Sequence, residues 1–385
     1  MNRRNRCLVG SLVLGISTFA GAGTAWAASP NGHSWGENGS GQLGNGATMD
    51  SDVPVGVSGL THIKAVAAGG DFSLALLSNG TVWAWGANES GQLGDGTTTD
   101  SVVPVQVSGL TGVKAISSAG SAGFASLALL NDGTVWAWGY NGYGQLGDGN
   151  NVNSDIPVQV TGLTGVVAIA VGGAHDLALL SNGTVMSWGR NGDGELGYGT
   201  FTNPTNVPAE VSSLTGVKAI AAGLYHNLAV VGNGTVVSWG DNNSGQLGNN
   251  NAPNDSASPV PVTGLTKVKS VAAGAYDSYA VLKNGTGMSW GENAYGELGN
   301  GDSSGTGSPV PVAISGLTNI KVISAGAFHV LALLKTKTLA AWGIDSDGEL
   351  GTGVVGPSSA TPLAISGLTG VKSVSAGYLF SLAST

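Results

Sequence analysis

The sequence predicts an all-β fold, a seven-bladed β-propeller with four-stranded blades of about 50 residues. The first observation is a repeat: Trp-Gly occurs at Trp35, Trp85, Trp138, Trp188, Trp239, Trp290 and Trp342, at spacings of 50 to 53 residues. The second is a string that follows each copy with little change, such as WGANESGQLGDG or WGENAYGELGNG. The third is the lack of helical periodicity between copies. A fixed period of this length indicates one supersecondary unit repeated around a ring.

Each repeat contains four short apolar segments with the composition of strands. They read PVQV, VKAIAAG, SLALL and TVWAW in typical copies, and Gly or Asn-Gly bounds them. The last two segments are joined by Asn79-Gly80 in the first full copy and by the same or a similar pair in later ones. Such pairs favour a tight hairpin with a mirror-type turn, in which both central residues have positive φ.

The two ends of the chain carry complementary halves of one hairpin. Residues 32–35 match the TVWAW segment, and residues 381–383 match the SLALL segment. Pairing of these strands would close the ring and leave no open sheet edge. We therefore expect residues 28–385 to form a single propeller.

Residues 1–27 have the layout of a secretory signal peptide. Basic Arg3, Arg4 and Arg6 precede an apolar run, and Ala25-Trp26-Ala27 is a small-x-small cleavage site. Such a segment would direct export to the periplasm or the medium and be removed by cleavage after Ala27. Cleavage would also remove the only cysteine, so we expect no disulfide in the mature chain.

The charge balance is acidic. The chain has 14 basic and 23 acidic residues and a net charge of −9, which would fall to −12 when three arginines leave with the signal peptide. An acidic surface repels phosphate backbones and anionic headgroups. We expect no nucleic-acid partner and no membrane insertion, and we expect a monomer.

The repeat resembles the regulator of chromosome condensation repeat family. The shared pattern is W-G-x-N-x-x-G-Q-L-G, then P-x-x-V, then V-x-x-I-A-A-G-x-x-H-S-L-A-L, and it covers residues 31–385. The resemblance implies a seven-bladed propeller closed by both termini. It does not by itself imply a function, because propellers host unrelated activities. The founding member is a nucleotide exchange factor for a small GTPase and binds chromatin, a role that an exported acidic protein does not fit.

The chain is also similar in architecture to secreted bacterial propellers of this kind. One of them is a β-lactamase-inhibitory protein that holds its target with aromatic loops on one face. The signal peptide favours this branch, so the chain is identified as a secreted bacterial member of the family. We therefore predict a non-enzymatic binding protein whose partner is a protein or an extracellular polymer, with inhibition of an extracellular enzyme such as a β-lactamase as a narrower version. Activity like that of an exchange factor ranks below both.

The loop after the AAG segment is where the copies differ while their flanks stay constant. Its variable positions hold the predicted binding residues Asp71, Tyr225, Tyr276, Phe328 and Tyr378. Tyrosine and phenylalanine are good interface anchors, so aromatics from neighbouring blades would form a binding arc. The alternative is that the rings fill the mouth of the central channel.

Three histidines occupy one position of the same loop, which is His in the family pattern. His175, His226 and His329 are expected to make structural hydrogen bonds within their blades, with no metal and no cofactor. The alternative from another functional class is an enzyme with a site at the channel mouth. That site would be built from Asp71, His175, Asp176, His226, Asp277 and His329.

Overall fold

The structure, a computed structural model, describes residues 31–120 and 123–385, so the predicted signal peptide lies outside the described residues. Within them the chain forms seven four-stranded antiparallel sheets arranged as the blades of a propeller. The predicted fold class is confirmed. None of the described residues belongs to a helix long and apolar enough to cross a bilayer.

Blades 1 to 6 each take four consecutive strands, the first of them innermost, and blade 7 combines strands from the two ends of the chain. The chain begins with β1 (Gly32–Gly36) and β2 (Ser51–Gly56), the outer strands of blade 7. Blade 1 contains β3 (Ile63–Ala68), β4 (Phe72–Leu77), β5 (Val82–Gly86) and β6 (Ser101–Gln106). Blade 2 contains β7 (Val113–Ser118), β8 (Ala125–Leu130), β9 (Val135–Gly139) and β10 (Ser154–Gln159). Blade 3 contains β11 (Val166–Val171), β12 (His175–Leu180), β13 (Val185–Gly189) and β14 (Thr205–Glu210).

The remaining blades follow the same order. Blade 4 contains β15 (Val217–Ala222), β16 (His226–Val231), β17 (Val236–Gly240) and β18 (Ser256–Pro261). Blade 5 contains β19 (Val268–Ala273), β20 (Asp277–Leu282), β21 (Gly287–Gly291) and β22 (Ser308–Ala313). Blade 6 contains β23 (Ile320–Ala325), β24 (His329–Leu334), β25 (Leu339–Gly343) and β26 (Ser359–Ala364). β27 (Ser373–Ala376) and β28 (Phe380–Ser384) complete blade 7.

Pairing of β1 with β28 closes the ring, as the sequence predicts. The register runs from Gly32 opposite Ser384 to Gly36 opposite Phe380. The Thr385 amide donates to the Asn31 carbonyl at 2.9 Å, which continues the ladder beyond the strands. Blade 7 therefore has the same four-stranded sheet as the other six.

The predicted hairpins are present, but their turn type differs from the prediction. Only the glycine of each pair has positive φ, 82° at Gly80, whereas Asn79 does not. The Asn79 Oδ1 atom accepts hydrogen bonds from the Thr81 amide at 3.0 Å and its hydroxyl at 2.8 Å. This Asx-type turn holds Asn79 at negative φ, so the connection is a three-residue loop with glycine in the left-handed position.

The hydrophobic core is divided among the seven boundaries between blades. Each repeat tryptophan is fully buried and packs against the preceding blade. Its indole N–H donates to a backbone carbonyl in that blade's Gly-Gln-Leu-Gly segment, as from Trp85 to Gln42 at 2.8 Å. Gly44 lies against this indole, and a Cβ there would come within 2.6 Å of Trp85 Nε1. The constant residues of the repeat thus join adjacent blades.

The four strands alternate in direction, so each blade sends two connections to each end of the propeller. We call one end the loop face. It contains the connections between first and second strands and between third and fourth strands, residues 69–71 and 87–100 in blade 1. The other end, the hairpin face, contains the hairpins between second and third strands and the linkers between blades, residues 78–81 and 107–112 around blade 1.

Candidate functional site

The loop face is built on a buried amide that recurs in the repeat. In blade 1 the Asn88 Oδ1 atom accepts from the Leu93 amide at 2.9 Å, and its Nδ2 donates to the carbonyls of Thr97 and Thr99. These bonds satisfy a buried side chain and fix the long connection between third and fourth strands. The residues beside the asparagine are left free to vary and to face solvent.

Four adjacent blades present aromatic rings on this face. Tyr225, Tyr276, Phe328 and Tyr378 are half-buried and come from blades 4, 5, 6 and 7. The Phe328 ring lies edge-on to the Tyr378 ring, with centroids 5.7 Å apart. Tyr295, on the longer connection of blade 5, also packs edge-on to the Phe328 ring, with centroids 5.6 Å apart. We call these five residues the aromatic arc.

Tyr225 and Tyr276 share an open depression of about 380 Å³ at one end of the arc. Polar and acidic side chains complete its lining: Asp193, Asp241, Asn243, Ser244 and Glu292. Burial raises the pKa of Glu292, and burial is also the main cause of the raised pKa of Tyr276. The depression therefore offers aromatic faces next to carboxylates, which suits a cationic group.

Arg190 occupies part of this region in the described structure. Its guanidinium carbon lies 4.4 Å from the centre of the Tyr225 ring. One of its nitrogens is 2.6 Å from the Asp193 carboxylate and also contacts the buried Glu195. The arginine thus demonstrates, within the chain itself, the cation–π and ionic contacts that the depression can make.

Asp71 lies apart from the aromatic contacts. It lines a separate cavity of about 260 Å³ with Phe124, Glu89, Gln92 and Asp100 among its neighbours. Burial raises the pKa of the Asp71 carboxyl. Burial is also the largest cause of the raised pKa of Glu37, with the nearby Asp71 charge second. Of the five predicted binding residues, four therefore belong to one arc and Asp71 to a neighbouring acidic cavity.

Two contributors to the site were missed in the sequence. Arg190 and Tyr295 lie on the connection between third and fourth strands, whereas the predicted binding residues come from the shorter connection between first and second strands. The signal that could have found them is again variation between constant flanks. These positions differ between copies, whereas the Trp-Gly before them and the Gly-x-Leu-Gly after them stay constant. Aligned copies read Glu, Ala, Tyr, Arg, Asp, Glu and Ile directly after Trp-Gly.

The rings do not line the cavity of the axial channel. The channel cavity, about 180 Å³, is lined in the described residues by small and aliphatic side chains of the innermost strands, such as Ala170, Ala222, Ile323 and Ser375. None of the aromatic arc lines it. The arc therefore lies outside this cavity, and the alternative that the rings fill the mouth of the channel stays a prediction.

The histidines are fully buried, and their hydrogen bonds join blades rather than acting within one. His175 Nε2 lies 2.8 Å from Asn227 Oδ1, and His226 Nε2 lies 2.8 Å from Ser278 Oγ. His329 makes the same contact with Ser381 at 2.9 Å. The first residue of each second strand faces the next blade, which is why the predicted bonds within blades were wrong.

Burial keeps these histidines neutral. It lowers the pKa of His175 to about 4 and those of His226 and His329 to about 3. Since the Ser278 hydroxyl donates to the Gln246 carbonyl at 2.9 Å, His226 must donate its Nε2–H to that hydroxyl. The alternative catalytic set at the channel mouth is not assembled, because its three histidines, Asp176 and Asp277 are at most 3% exposed.

Two buried carboxyls occupy junctions where the pairing fails. At the junction of blades 2 and 3, Ala125 stands where His175 stands at the next junction, and Asp176 stands where Asn227 does. Both carboxylate oxygens of Asp176 lack a hydrogen-bond partner. At the junction of blades 5 and 6, Asp277 stands in the histidine position and Val330 in the position of its partner. The Asp277 Oδ1 atom lacks a hydrogen-bond partner. Burial raises the pKa of each well above the usual range. These groups lie between blades and do not face the loop-face depression.

Comparison with known proteins supports the same architecture. The RCC1-like domain model matches residues 16–274, and the regulator of chromosome condensation (RCC1) repeat model matches residues 288–333. The Arabidopsis thaliana ultraviolet-B receptor UVR8 is 34% identical over 234 residues, 59% of this chain and 53% of that protein. The human probable E3 ubiquitin-protein ligase HERC6 is 37% identical over 169 residues, 42% of this chain and 16% of that protein.

The chain therefore spans about half the length, or much less, of these curated relatives. Among solved structures, human WBSCR16 superposes with a TM-score of 0.82 at 25% identity, covering 91% of this chain and 98% of that one. Yeast RCC1 (Prp20), solved bound to Kap60, superposes with a TM-score of 0.81 at 22% identity, covering 97% and 96%. This last likeness is evidence of the fold alone.

Proposed function

Because the chain belongs to the RCC1-like domain family, we propose that it is a protein-binding module that uses the aromatic arc of its loop face. The observation that carries the proposal is the arc itself. The seven repeat tryptophans are fully buried, whereas Tyr225, Tyr276, Tyr295, Phe328 and Tyr378 line one surface across four adjacent blades. Such a cluster is the kind of surface on which binding energy concentrates.

The acidic surroundings define the partner further. Glu292, Asp241 and Asp193 border the Tyr225–Tyr276 depression, and Arg190 is the basic side chain found beside it. A partner that presents arginine or lysine next to apolar side chains would gain cation–π contacts and charge complementarity. The proposed partner is therefore a protein with a basic, partly apolar surface.

The test is capture from the proteins of the producing organism followed by titration of each captured protein. The bait is the chain from residue 28, compared with a variant carrying Tyr225→Ala, Tyr276→Ala and Phe328→Ala. We expect a partner whose affinity falls at least tenfold in the variant, because hot-spot aromatics cost about 2 kcal/mol or more each. Its affinity should also weaken with added salt.

A control removes exposed apolar side chains outside the arc. Met49→Ala, Phe201→Ala and Val354→Ala together truncate residues that are 79%, 56% and 67% exposed. This variant should retain affinity. If the two variants lose affinity equally, or neither loses any while both remain folded, the arc is not the binding surface.

Two narrower functions predicted from the sequence stay predictions. Inhibition of an extracellular enzyme such as a β-lactamase is tested by a direct inhibition assay. Unchanged turnover of the enzyme in the presence of the chain would exclude this function. Nucleotide exchange requires a small GTPase loaded with a fluorescent nucleotide, and a release rate unaffected by the chain would remove it. Export through residues 1–27 is proposed on the same footing, and its check is the N-terminal sequence of the protein recovered from the medium or periplasm.

A further inference from the structure

The hairpin face carries all of the chain's lysines. Six of the ten occupy the same place in their blades, at the beginning of the innermost strand around the channel mouth, and we call them the lysine ring. They are Lys64, Lys114, Lys218, Lys269, Lys321 and Lys372. In blade 3 the position is Val167. The other four extend the charge outward over blades 5 and 6: Lys267, Lys283, Lys335 and Lys337.

The ammonium groups are distributed around the ring rather than pointed at its axis. Lys64 Nζ donates to the backbone carbonyl of Lys114 in the next blade at 3.2 Å. Lys269 Nζ makes the same contact with the Lys321 carbonyl at 3.4 Å. A lysine has three N–H donors, so each ammonium held in this way keeps donors for a ligand. Side chains that reach sideways present an array of charge and do not enclose a small anion.

No aspartate or glutamate side chain in residues 31–120 and 123–385 forms an ion pair with these lysines, although the chain has more acidic than basic residues. Lys372 Nζ donates to the main-chain oxygen of Thr385 at 3.1 Å. Both ion pairs found in residues 31–120 and 123–385 involve Arg190. Of the 23 acidic residues, only Asp132 and Glu210 lie at the hairpin end of their blades. All of the lysines except the half-buried Lys114 are exposed. The positive charge of this face is therefore available to a partner outside the chain.

The acidic end is too far away to cancel this charge. A strand of six residues spans about 20 Å. At physiological ionic strength the screening length is about 8 Å. The carboxylates of the loop face are thus more than two screening lengths from the lysine ring, and the local potential at the hairpin face is positive although the net charge is −9.

We propose that the hairpin face docks on an anionic lipid surface, with the lysine ring parallel to the plane of the phosphate headgroups. Ammonium groups that are spread around the ring at one end of the propeller fit an extended charged plane. Each lysine near such a surface strengthens binding by about 1 kcal/mol, or about fivefold. The proposal differs from the expectation, drawn from the net charge, that anionic lipid would be repelled. The proposal is independent of the loop-face partner, which would use the opposite end.

The experiment is co-sedimentation of the chain from residue 28 with vesicles of phosphatidylcholine alone or of equal parts phosphatidylcholine and phosphatidylglycerol. We expect binding to the anionic vesicles, no binding to the neutral ones, and loss of binding at roughly 0.5 M salt, where screening shortens to a few ångströms. Absence of binding to the anionic vesicles at low salt would overturn the proposal.

The discriminating variant is Lys64→Gln, Lys114→Gln, Lys321→Gln and Lys372→Gln. At about fivefold per lysine, we expect its binding to the anionic vesicles to weaken 100-fold or more. Thermal melting of the variant shows whether it is folded. Equal binding by the folded variant and the unmodified chain would overturn the proposal.

The matched control changes the net charge by the same amount on the other half of the molecule. Thr48→Asp, Thr98→Asp, Ser303→Asp and Ser358→Asp replace exposed residues of the long loop-face connections. We expect its vesicle binding to stay within about twofold. An equal loss in this control would mean that net charge, not the lysine ring, determines binding. Binding to soluble inorganic polyphosphate without binding to anionic vesicles would mean a soluble polyanion as ligand, and would also overturn the proposal.

Discussion

Two junctions between blades differ in how they treat the same buried position. Between blades 3 and 4, His175 bonds to Asn227, whose Nδ2 atom donates onward to the Glu195 carbonyl at 2.8 Å. Between blades 2 and 3, Ala125 faces Asp176, which has no partner. The Gln145 carbonyl, equivalent to that of Glu195, accepts the Trp188 indole N–H and no other side-chain donor among the described residues. A fold made of repeats thus tolerates a junction that lacks the polar pair found at other junctions.

The largest expected effect comes from removing a histidine at a complete junction. His226→Ala should lower the free energy of unfolding by about 3 kcal/mol, because a fully buried ring is replaced by a cavity. His226→Phe should cost only about 1 kcal/mol. Phenylalanine is chosen because Phe72 occupies the equivalent position in blade 1 and is fully buried there. Chemical denaturation measures both, and equal losses would mean that the hydrogen bond, not packing, maintains the junction.

Exchanging Asp176 and Asn227, which occupy equivalent positions at the two junctions, should reverse which junction has a side-chain donor for its backbone carbonyl. Asp176→Asn supplies an N–H for the Gln145 carbonyl and should stabilise the fold by about 1 to 2 kcal/mol at neutral pH. The reciprocal change, Asn227→Asp, removes the donor to the Glu195 carbonyl and should destabilise it by about 2 kcal/mol. Denaturation of the two variants in parallel checks this. Destabilisation by Asp176→Asn would contradict the prediction, because it would mean that the Asp176 carboxyl itself stabilises the junction.

The two junctions should also respond to pH in opposite directions. The raised pKa of Asp176 means that its contribution to stability is present below the unfolded pKa near 3.8 and is lost as pH rises. The lowered pKa of His175, about 4, means that its contribution is present above about 6.5 and is lost as pH falls towards 4. The advantage of Asp176→Asn should therefore shrink on acidification. Melting temperatures measured from pH 4 to pH 8 test this, and an advantage independent of pH would contradict it.

The smallest expected effect concerns serines at the same position. Ser278→Ala should cost about 1 kcal/mol, because Ser278 accepts from His226 and donates to the Gln246 carbonyl. Ser126→Ala should be neutral or slightly stabilising, because the Ser126 Oγ atom is buried without a partner. The denaturation midpoints of the two variants measure both effects. A similar cost for both would mean that the hydrogen bonds at complete junctions contribute little.

The sequence was sufficient for the fold because the structural residues recur in every copy. The repeat tryptophans, the leucines of Gly-x-Leu-Gly and the strand pairing that closes the ring all repeat or complement one another, so a single interpretation accounts for all copies. The hairpin turn was mispredicted because the Asn79 side chain bonds to Thr81, a local contact that the Asn-Gly pair alone does not reveal.

The site was predicted less completely, since it depends on contacts between different repeats. Stacking of Arg190 on Tyr225 joins blades 3 and 4, and packing of Tyr295 on Phe328 joins blades 5 and 6. Neither contact follows from a periodic pattern, because variable positions carry no repeated partner. The direction of the histidines was missed for a related reason: strand position does not say which neighbouring sheet a buried ring faces.

The separation of lysines from carboxylates gives the molecule an electric dipole moment along the channel axis. A dipole turns in an external field before any contact forms, so a charged partner meets a molecule that is already oriented. A basic protein would meet the tyrosines first, and a negatively charged plane would meet the opposite end. The two encounters use surfaces a strand length apart, so one molecule can bridge both partners at once without competition between them.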